Sequence, residues 1–245
     1  MAGMAVLAFA GASYLIFLAV FLYFVGFLAA WPGLPTTIDK GIAAGAGRAV
    51  LVDLALVALF AIQHSVMARS GFKAAWRHVV PDALERSIYV LASSAVLALV
   101  MALWHPVPGA VWHVGAPALR IAIWVVYALG IALIFTSTWL INHFELLGIA
   151  QAVARCRGRP LEGPRFRTPL FYRLVRHPLY TGFLVALWAA PTMTIGHLLF
   201  SGSLTLYIVV GASLEERDLS AHFGEAYRAY QRRVGFLLPG LGRKG

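Results

Sequence analysis

The feature that most constrains the fold is an uncharged run of 36 residues, from Leu179 to Leu214. An α-helix rises about 1.5 Å per residue, so this run is far longer than the roughly 30 Å hydrocarbon core of a bilayer requires. We therefore expect it to cross a membrane twice, with a helix weakened near Pro191 and a tight turn at Gly196-His197. The result is a helical hairpin whose two ends lie on the same side of the membrane.

The composition of the whole chain is typical of an integral membrane protein. Hydrophobic residues make up 60% and charged residues 12% of the 245 residues, which excludes a soluble domain of this size. The net charge of +10 is confined to segments between apolar runs, so we expect no nucleic acid as a partner. The single cysteine, Cys156, excludes an intrachain disulfide and a multi-cysteine metal site, and we expect no metal.

Four further apolar runs predict membrane helices ahead of the hairpin, at about residues 4–30, 48–68, 87–104 and 117–143. With the hairpin they give an all-α polytopic bundle of six transmembrane helices in a single domain, residues 1–245. Of the 20 Lys and Arg residues, 17 lie in the alternate segments 69–86, 142–177 and 215–245. By the positive-inside rule these segments face the cytoplasm, which places both termini and both hairpin ends there.

Ionisable residues collect at the two ends of the hairpin. Arg176, His177 and Tyr180 open its first helix, at spacings of three and four that turn them toward one pocket. Glu215 and Glu216 end its second helix, where carboxylates near hydrocarbon normally have a partner. Two interpretations stay open: an ion pair that joins the two ends, or a convergence of these groups on a polar ligand.

Two neighbouring features extend this site. Gly182 allows another backbone or a ligand to approach closely. Beyond the hairpin, an apolar stripe on one predicted amphipathic helix comprises Leu219, Phe223, Tyr227 and Tyr230. Such a helix lies on the membrane surface or covers the pocket.

The hairpin ends also resemble a known signature. RHPLYTG (Arg176 to Gly182) and EERDLSAHFGEAYRAYQRRV (Glu215 to Val234) resemble, in order and spacing, the isoprenylcysteine carboxyl methyltransferase superfamily. The upstream segments AIQHSVMARSGFKAAW, ERSIYVL, STWLINHFELLGIAQ and FRTPLFYRLVRHPLY are similar to the bacterial methanethiol S-methyltransferases. One departure is Gly235, where many relatives have proline; it affects the path of the tail more than the pocket.

This resemblance implies an enzyme of the bacterial inner membrane that lacks a Rossmann domain. It implies transfer of a methyl group from S-adenosylmethionine, bound at the cytoplasmic face by the half at about residues 137–240, to methanethiol, forming dimethyl sulfide. Arg176 or His177 suits the cofactor carboxylate, and Glu215 or Glu216 the ribose hydroxyls or amino group. Tyr180 or Tyr227 suits the sulfonium or the adenine ring, and Gly182 completes the cofactor-binding set.

A thiol substrate must also lose its proton, since the thiolate is the better nucleophile. The candidate catalytic residues are His143 and Glu145, with Asn142 beside them, at the inner end of the fourth helix, and His64 at the end of the second. Buried histidines are also often simply hydrogen-bonded within a fold. A structural role for each of them therefore stays open.

Three alternative functions remain at this stage. In the first, the methyl acceptor is an isoprenylcysteine carboxylate or another lipophilic group. In the second, the protein is a sterol-type membrane reductase that uses NADPH, and loop arginines bind the 2'-phosphate. In the third, it is a non-enzymatic membrane protein of the NnrU type. Binding of NADPH, of S-adenosylhomocysteine or of neither separates the cofactor classes.

Overall fold

The protein is predominantly helical in a computed structural model that describes residues 2–159 and 166–243. Five of the described helices are long and apolar enough to cross a membrane: α1 (Ala2–Leu28), α2 (Ala46–Ala68), α4 (Asp82–Ala102), α5 (Pro117–Ile141) and α9 (Ile195–Phe223). The shorter helices are α3 (Ser70–Trp76), α6 (His143–Leu146), α7 (Ile149–Cys156), α8 (Pro178–Trp188) and α10 (Glu225–Arg233). A 3-10 turn spans Leu170–Arg173, and strands β1 (Ala110–His113) and β2 (Thr192–Thr194) form a two-stranded sheet. The prediction of a polytopic helical membrane protein is confirmed.

The chain divides into two compact units by its internal contacts. The first unit contains Met1–Gly109, His143–Gly163 and Thr194–Phe200, and the second contains Ala110–Asn142, Pro164–Met193 and Ser201–Gly245. In the first unit, α1 packs on α4 and α7, and α2 packs on α4. In the second unit, the closest pairing joins α5 to α8.

An aromatic cluster forms the core of the first unit. The Trp104 ring lies 5.2 Å from the Phe200 ring and 6.3 Å from the Phe27 ring, both in edge-to-face geometry. The indole N–H of Trp104 donates to the carbonyl of Ile38 at 3.0 Å, so its polar atom is satisfied inside the core.

The segment predicted to cross twice contains one helix of spanning length and one short helix. Helix α8 has 11 residues, about 16 Å of rise, and ends at Trp188; β2 follows before α9 begins at Ile195. The break near Pro191 is therefore where it was expected, whereas the turn predicted at Gly196-His197 is wrong, because both residues already belong to α9. Six crossings, a hairpin and cytoplasmic termini stay predictions.

The stripe predicted on one amphipathic helix is divided between two helices. Gly224, at φ 58°, separates α9, which carries Leu219 and Phe223, from α10, which carries Tyr227 and Tyr230. Only glycine adopts this backbone region without a steric penalty, so the helix ends there. The prediction of a continuous helix was wrong for this reason.

Candidate functional site

A buried ion pair lies in the second unit. Arg176, 3% exposed, donates from Nε to a carboxylate oxygen of Glu216, which is 2% exposed. The other oxygen of Glu216 accepts a hydrogen bond from the Gln231 amide at 3.0 Å, and the Tyr227 hydroxyl lies 3.4 Å from the first. A buried carboxylate is tolerated when it is paired and hydrogen-bonded in this way.

The same arginine holds the C-terminal tail. Its guanidinium donates to the carbonyls of Gln231, Val234 and Gly242, at 3.1 Å for Gln231 and 3.0 Å for Gly242. Its backbone N–H donates to the carbonyl of Gly235 at 2.8 Å. The donors of Arg176 are therefore directed at Glu216 and at the backbone after α10, so this residue organises the wall of the site.

Only glycine fits at position 235 in this arrangement of the tail. A Cβ atom placed there would lie 2.7 Å from the backbone nitrogen of Gly240, closer than real Cβ contacts come. The tail therefore turns back on itself at Gly235.

Glu215 is the accessible carboxylate of the site. Its side chain is 44% exposed, and it accepts a hydrogen bond from the Tyr180 hydroxyl at 2.9 Å. The Nδ1 atom of His177 lies 3.8 Å from the same carboxylate oxygen. Glu215 can therefore receive a ligand donor, whereas the carboxylate oxygens of Glu216 are already paired with Arg176 and Gln231.

His177 lies between the two carboxylates. It immediately precedes α8 and is 5% exposed, with Nε2 3.4 Å from Glu216 Oε1. Nε2 is buried and has no hydrogen-bond partner among the described residues. A buried polar atom without a partner carries a free-energy penalty, so a ligand group that satisfied it would be favoured.

An open cleft of about 240 Å³ adjoins the ion pair. Its lining comprises Arg176, Ser213, Glu216, Arg217, Phe236 and Gly242. The Phe236 ring lies 5.4 Å from the Arg176 guanidinium and 5.4 Å from the His177 ring. The cleft thus combines a carboxylate, two cations and an aromatic face.

Tyr227 lies behind the ion pair. It is 2% exposed, and its ring meets the Phe166 ring at 5.9 Å in edge-to-face geometry. Burial raises the pKa of Tyr227, and the charge of Glu216 raises it further, so the phenol keeps its proton as a donor. The structure therefore places Tyr227 against Glu216.

Gly182 contacts a neighbouring helix backbone. A Cβ atom at Gly182 would lie 2.8 Å from the carbonyl oxygen of Gly130, and one at Gly130 would lie 3.0 Å from that of Gly182. The close approach predicted at Gly182 is therefore the contact between α5 and α8.

The candidate proton acceptors lie mainly in the first unit. His143 is 5% exposed and hydrogen-bonds through Nε2 to the Tyr14 hydroxyl at 3.1 Å. Burial lowers its pKa, so the imidazole is neutral at neutral pH. The Glu145 carbonyl accepts from the Gln151 amide at 3.0 Å, while Asn142 ends α5 in the second unit.

His64 belongs to a polar network between α2 and α4. Its Nε2 is 2.7 Å from the Tyr89 hydroxyl, and its Nδ1 is 3.1 Å from the Ser93 hydroxyl. The Arg86 guanidinium lies 5.2 Å from the Tyr89 ring and donates from Nε to the Leu146 carbonyl at 2.7 Å. Polar groups within membrane helices normally satisfy one another in this way.

Several residues of these clusters were missed by sequence reasoning. Gln231 follows Tyr227 by four residues, and Ser93 follows Tyr89 by four, so helical spacing was a usable signal for both. Tyr14 and Phe236 carried no such signal, because their partners lie far away in sequence.

Comparisons with known proteins agree on one family. The family model described as NnrU protein matches residues 52–238. Methanethiol S-methyltransferase 1 of Bradyrhizobium diazoefficiens is 49% identical over 228 residues, which covers 93% of this chain and 80% of the relative. Methanethiol S-methyltransferase of Mycobacterium tuberculosis is 49% identical over 231 residues, 94% of each chain.

A more distant relative is Nurim of Xenopus laevis, 32% identical over 195 residues, which covers 76% of this chain and 66% of the relative. No solved structure matches the chain. Since the family model spans most of the sequence, the chain belongs to the NnrU protein family.

Proposed function

We propose that this protein is an integral membrane S-methyltransferase that transfers the methyl group of S-adenosylmethionine to methanethiol, forming dimethyl sulfide. The observation that carries the proposal is the identity of 49% over more than nine-tenths of the chain with proteins named methanethiol S-methyltransferase. The buried cluster beside an open cleft supports it, because it combines the charges that the proposed cofactor requires.

The residues around the cleft fit S-adenosylmethionine. Glu215, the neighbour in sequence of the lining residue Glu216, has a half-exposed carboxylate that suits the ribose hydroxyls or the ammonium group. Arg217 of the cleft lining suits the carboxylate of the cofactor. The ring of Phe236 in the cleft lining offers an aromatic face. Next to it, 5.4 Å from the Phe236 ring, His177 offers an unsatisfied polar atom in its buried Nε2. When bound, the cofactor supplies an electrophilic methyl group on a sulfonium.

Arg176 and Glu216 act in this proposal as positioning residues. Their pairing with each other and with the tail backbone leaves the cleft wall in one arrangement, so less conformational entropy is lost when a ligand binds. Tyr227 and Gln231 keep the Glu216 carboxylate oriented. Tyr180 does the same for Glu215.

We propose that His143 accepts the proton of the thiol, and that His64 is the second candidate acceptor. The lowered pKa of His143 keeps its imidazole neutral, the form that accepts a proton. Glu145 and Asn142 are proposed as its polar neighbours. The thiolate formed is the stronger nucleophile.

The charge distribution sets the proposed location of the reaction. The basic segments that precede α8 and follow Leu214 support a cytoplasmic site in a bacterial inner membrane. The acceptor is a small thiol that partitions into the lipid bilayer.

The test is a turnover assay on the purified full-length protein with S-adenosylmethionine and methanethiol, reading dimethyl sulfide by gas chromatography. Calorimetry with S-adenosylhomocysteine reads cofactor affinity independently. Glu215→Gln should weaken that affinity by about tenfold or more, because a hydrogen bond to a charged group contributes about 1.5–3 kcal/mol.

Glu225→Gln serves as the matched control, since Glu225 is exposed on α10 and pairs with Arg232; its affinity should equal the wild type. Binding of S-adenosylhomocysteine without production of dimethyl sulfide would contradict methanethiol as the methyl acceptor. Binding of NADPH instead of S-adenosylhomocysteine would contradict methyl transfer as the reaction.

A further inference from the structure

An apolar groove in the second unit is not used by the proposed reaction. It has a volume of about 420 Å³, within the range of about 300–1,000 Å³ typical of ligand sites. Its lining includes Trp112 of β1, Leu119, Ala122, Ile123 and Val126 of α5, and Trp188 at the end of α8. The four α5 residues follow helical spacing, so they form one face near the N-terminal end of that helix.

The groove offers an occupant almost no hydrogen-bonding capacity. The Trp112 indole N–H donates to the carbonyl of Ala190 at 2.9 Å, and that of Trp188 donates to the Thr205 hydroxyl at 3.0 Å. Both indoles therefore present only their rings to the groove. A polar occupant would lose its hydrogen bonds to water without replacement, so the occupant is apolar.

A cation follows one of the lining residues in the sequence. Arg120 is exposed in the first turn of α5, one residue from Leu119, and forms no salt bridge within the residues that the structure describes. The N-terminal end of a helix also favours negative charge. An apolar groove with a cation at the end of a membrane helix matches the charge pattern of an anionic phospholipid.

We propose that this groove binds one acyl chain of an anionic phospholipid whose phosphate pairs with Arg120. A methyl thiol or thioether has no anionic group for Arg120 and would fill little of this volume. The site lies at the opposite end of α8 from His177 and Tyr180, and the proposal does not depend on the methyltransferase assignment.

Native mass spectrometry of the detergent-purified protein, titrated with phosphatidylglycerol or phosphatidylcholine of the same chains, tests the headgroup. Wild type should bind phosphatidylglycerol about fivefold more tightly, the effect of one basic residue near an anionic headgroup. Arg120→Gln should abolish the preference. Arg48→Gln, an exposed arginine in the first turn of α2, should keep it. Equal affinities for both lipids in wild type would overturn the proposal.

A second measurement tests the acyl chain. Phosphatidylglycerol with brominated chains should quench the fluorescence of Trp112 and Trp188 in wild type, and Ala122→Phe, which fills the groove, should remove that part of the quenching. Ile121→Phe adds the same bulk outside the groove lining and should leave it unchanged. Unchanged quenching in Ala122→Phe, or relief of quenching by dimethyl sulfide at low concentration, would refute the lipid as occupant.

Discussion

Arg176 and Glu216 form the pair on which the site depends most. Arg176→Ala leaves a buried carboxylate without its cation, and losing one partner of a buried pair costs about 3–5 kcal/mol. We expect the free energy of unfolding in mixed micelles to fall by that amount. The double variant Arg176→Met/Glu216→Leu should regain most of it, because no lone charge remains.

The matched control for this pair is Arg232→Ala. Arg232 and Glu225 also form a salt bridge, but both side chains are exposed, so we expect no measurable change in stability. If Arg176→Ala were as mild as this control, the buried pair would not hold the tail. A double variant less stable than the single one would contradict the desolvation argument.

His143 gives the protein a pH dependence of defined sign. Because burial lowers its pKa below the ordinary value of 6.5, the unfolded chain binds the proton more readily than the folded one. Its contribution to stability is therefore complete above about pH 6.5 and is lost as the pH falls through the folded-state pKa. His143→Asn should flatten the decrease in unfolding free energy below pH 6.5.

The same variant tests catalysis. If His143 accepts the thiol proton, the acidic limb of kcat/KM lies below pH 6.5 in wild type and disappears, with a lower rate, in His143→Asn. His113→Asn is the control, since His113 hydrogen-bonds to Thr192 at an exposed position. If the His143→Asn variant kept the wild-type dependence of kcat/KM on pH, His143 would not be the proton acceptor, and His64 would become the candidate.

At the scale of elements, the contact between α5 and α8 depends on two glycines. Gly182→Ala places a Cβ atom 2.8 Å from the Gly130 carbonyl oxygen, which belongs to backbone and cannot rotate away. Overpacking of this kind costs about 1–3 kcal/mol, and we expect that loss in the unfolding free energy. Gly211→Ala in α9 has no neighbour within 4 Å and should leave stability unchanged or raise it.

Sequence patterns predict the helices themselves better than the contacts between distant parts of the chain. The apolar runs predicted the long helices because hydropathy and charge are local properties. The contact of Arg176 with Glu216 was one of two interpretations, since opposite charges at two helix ends favour pairing. The tail contact between Arg176 and Gly242 joins residues 66 positions apart, and no local pattern encodes it.

The short length of α8 shows the same limit. Its uncharged sequence continues without interruption into α9, so hydropathy alone predicts one long apolar segment. After Trp188 the chain pairs with a segment distant in sequence: β2 pairs with β1, and the Val114 N–H, next to β1, donates to the Pro191 carbonyl at 2.9 Å. Proline has no N–H of its own and is compatible with such an edge position.

At the scale of the whole molecule, the charge distribution predicts an orientation. The segments 69–86, 142–177 and 215–245 hold 17 of the 20 basic residues. In a bacterial membrane these segments would face the cytoplasm. β1, between α4 and α5, would then face the other side.

The single cysteine makes this orientation testable. Cys156 is exposed and lies between Arg155 and Arg157 at the end of α7. A membrane-impermeant maleimide should leave it unlabelled in intact cells and label it in inverted membrane vesicles. Val111→Cys in a Cys156→Ser background places an exposed thiol on β1 and should react in the reverse pattern. Labelling of Cys156 in intact cells would show that the orientation is the reverse of the predicted one. The basic segments, and the cofactor site proposed beside them, would then lie on the side of the membrane that lacks S-adenosylmethionine.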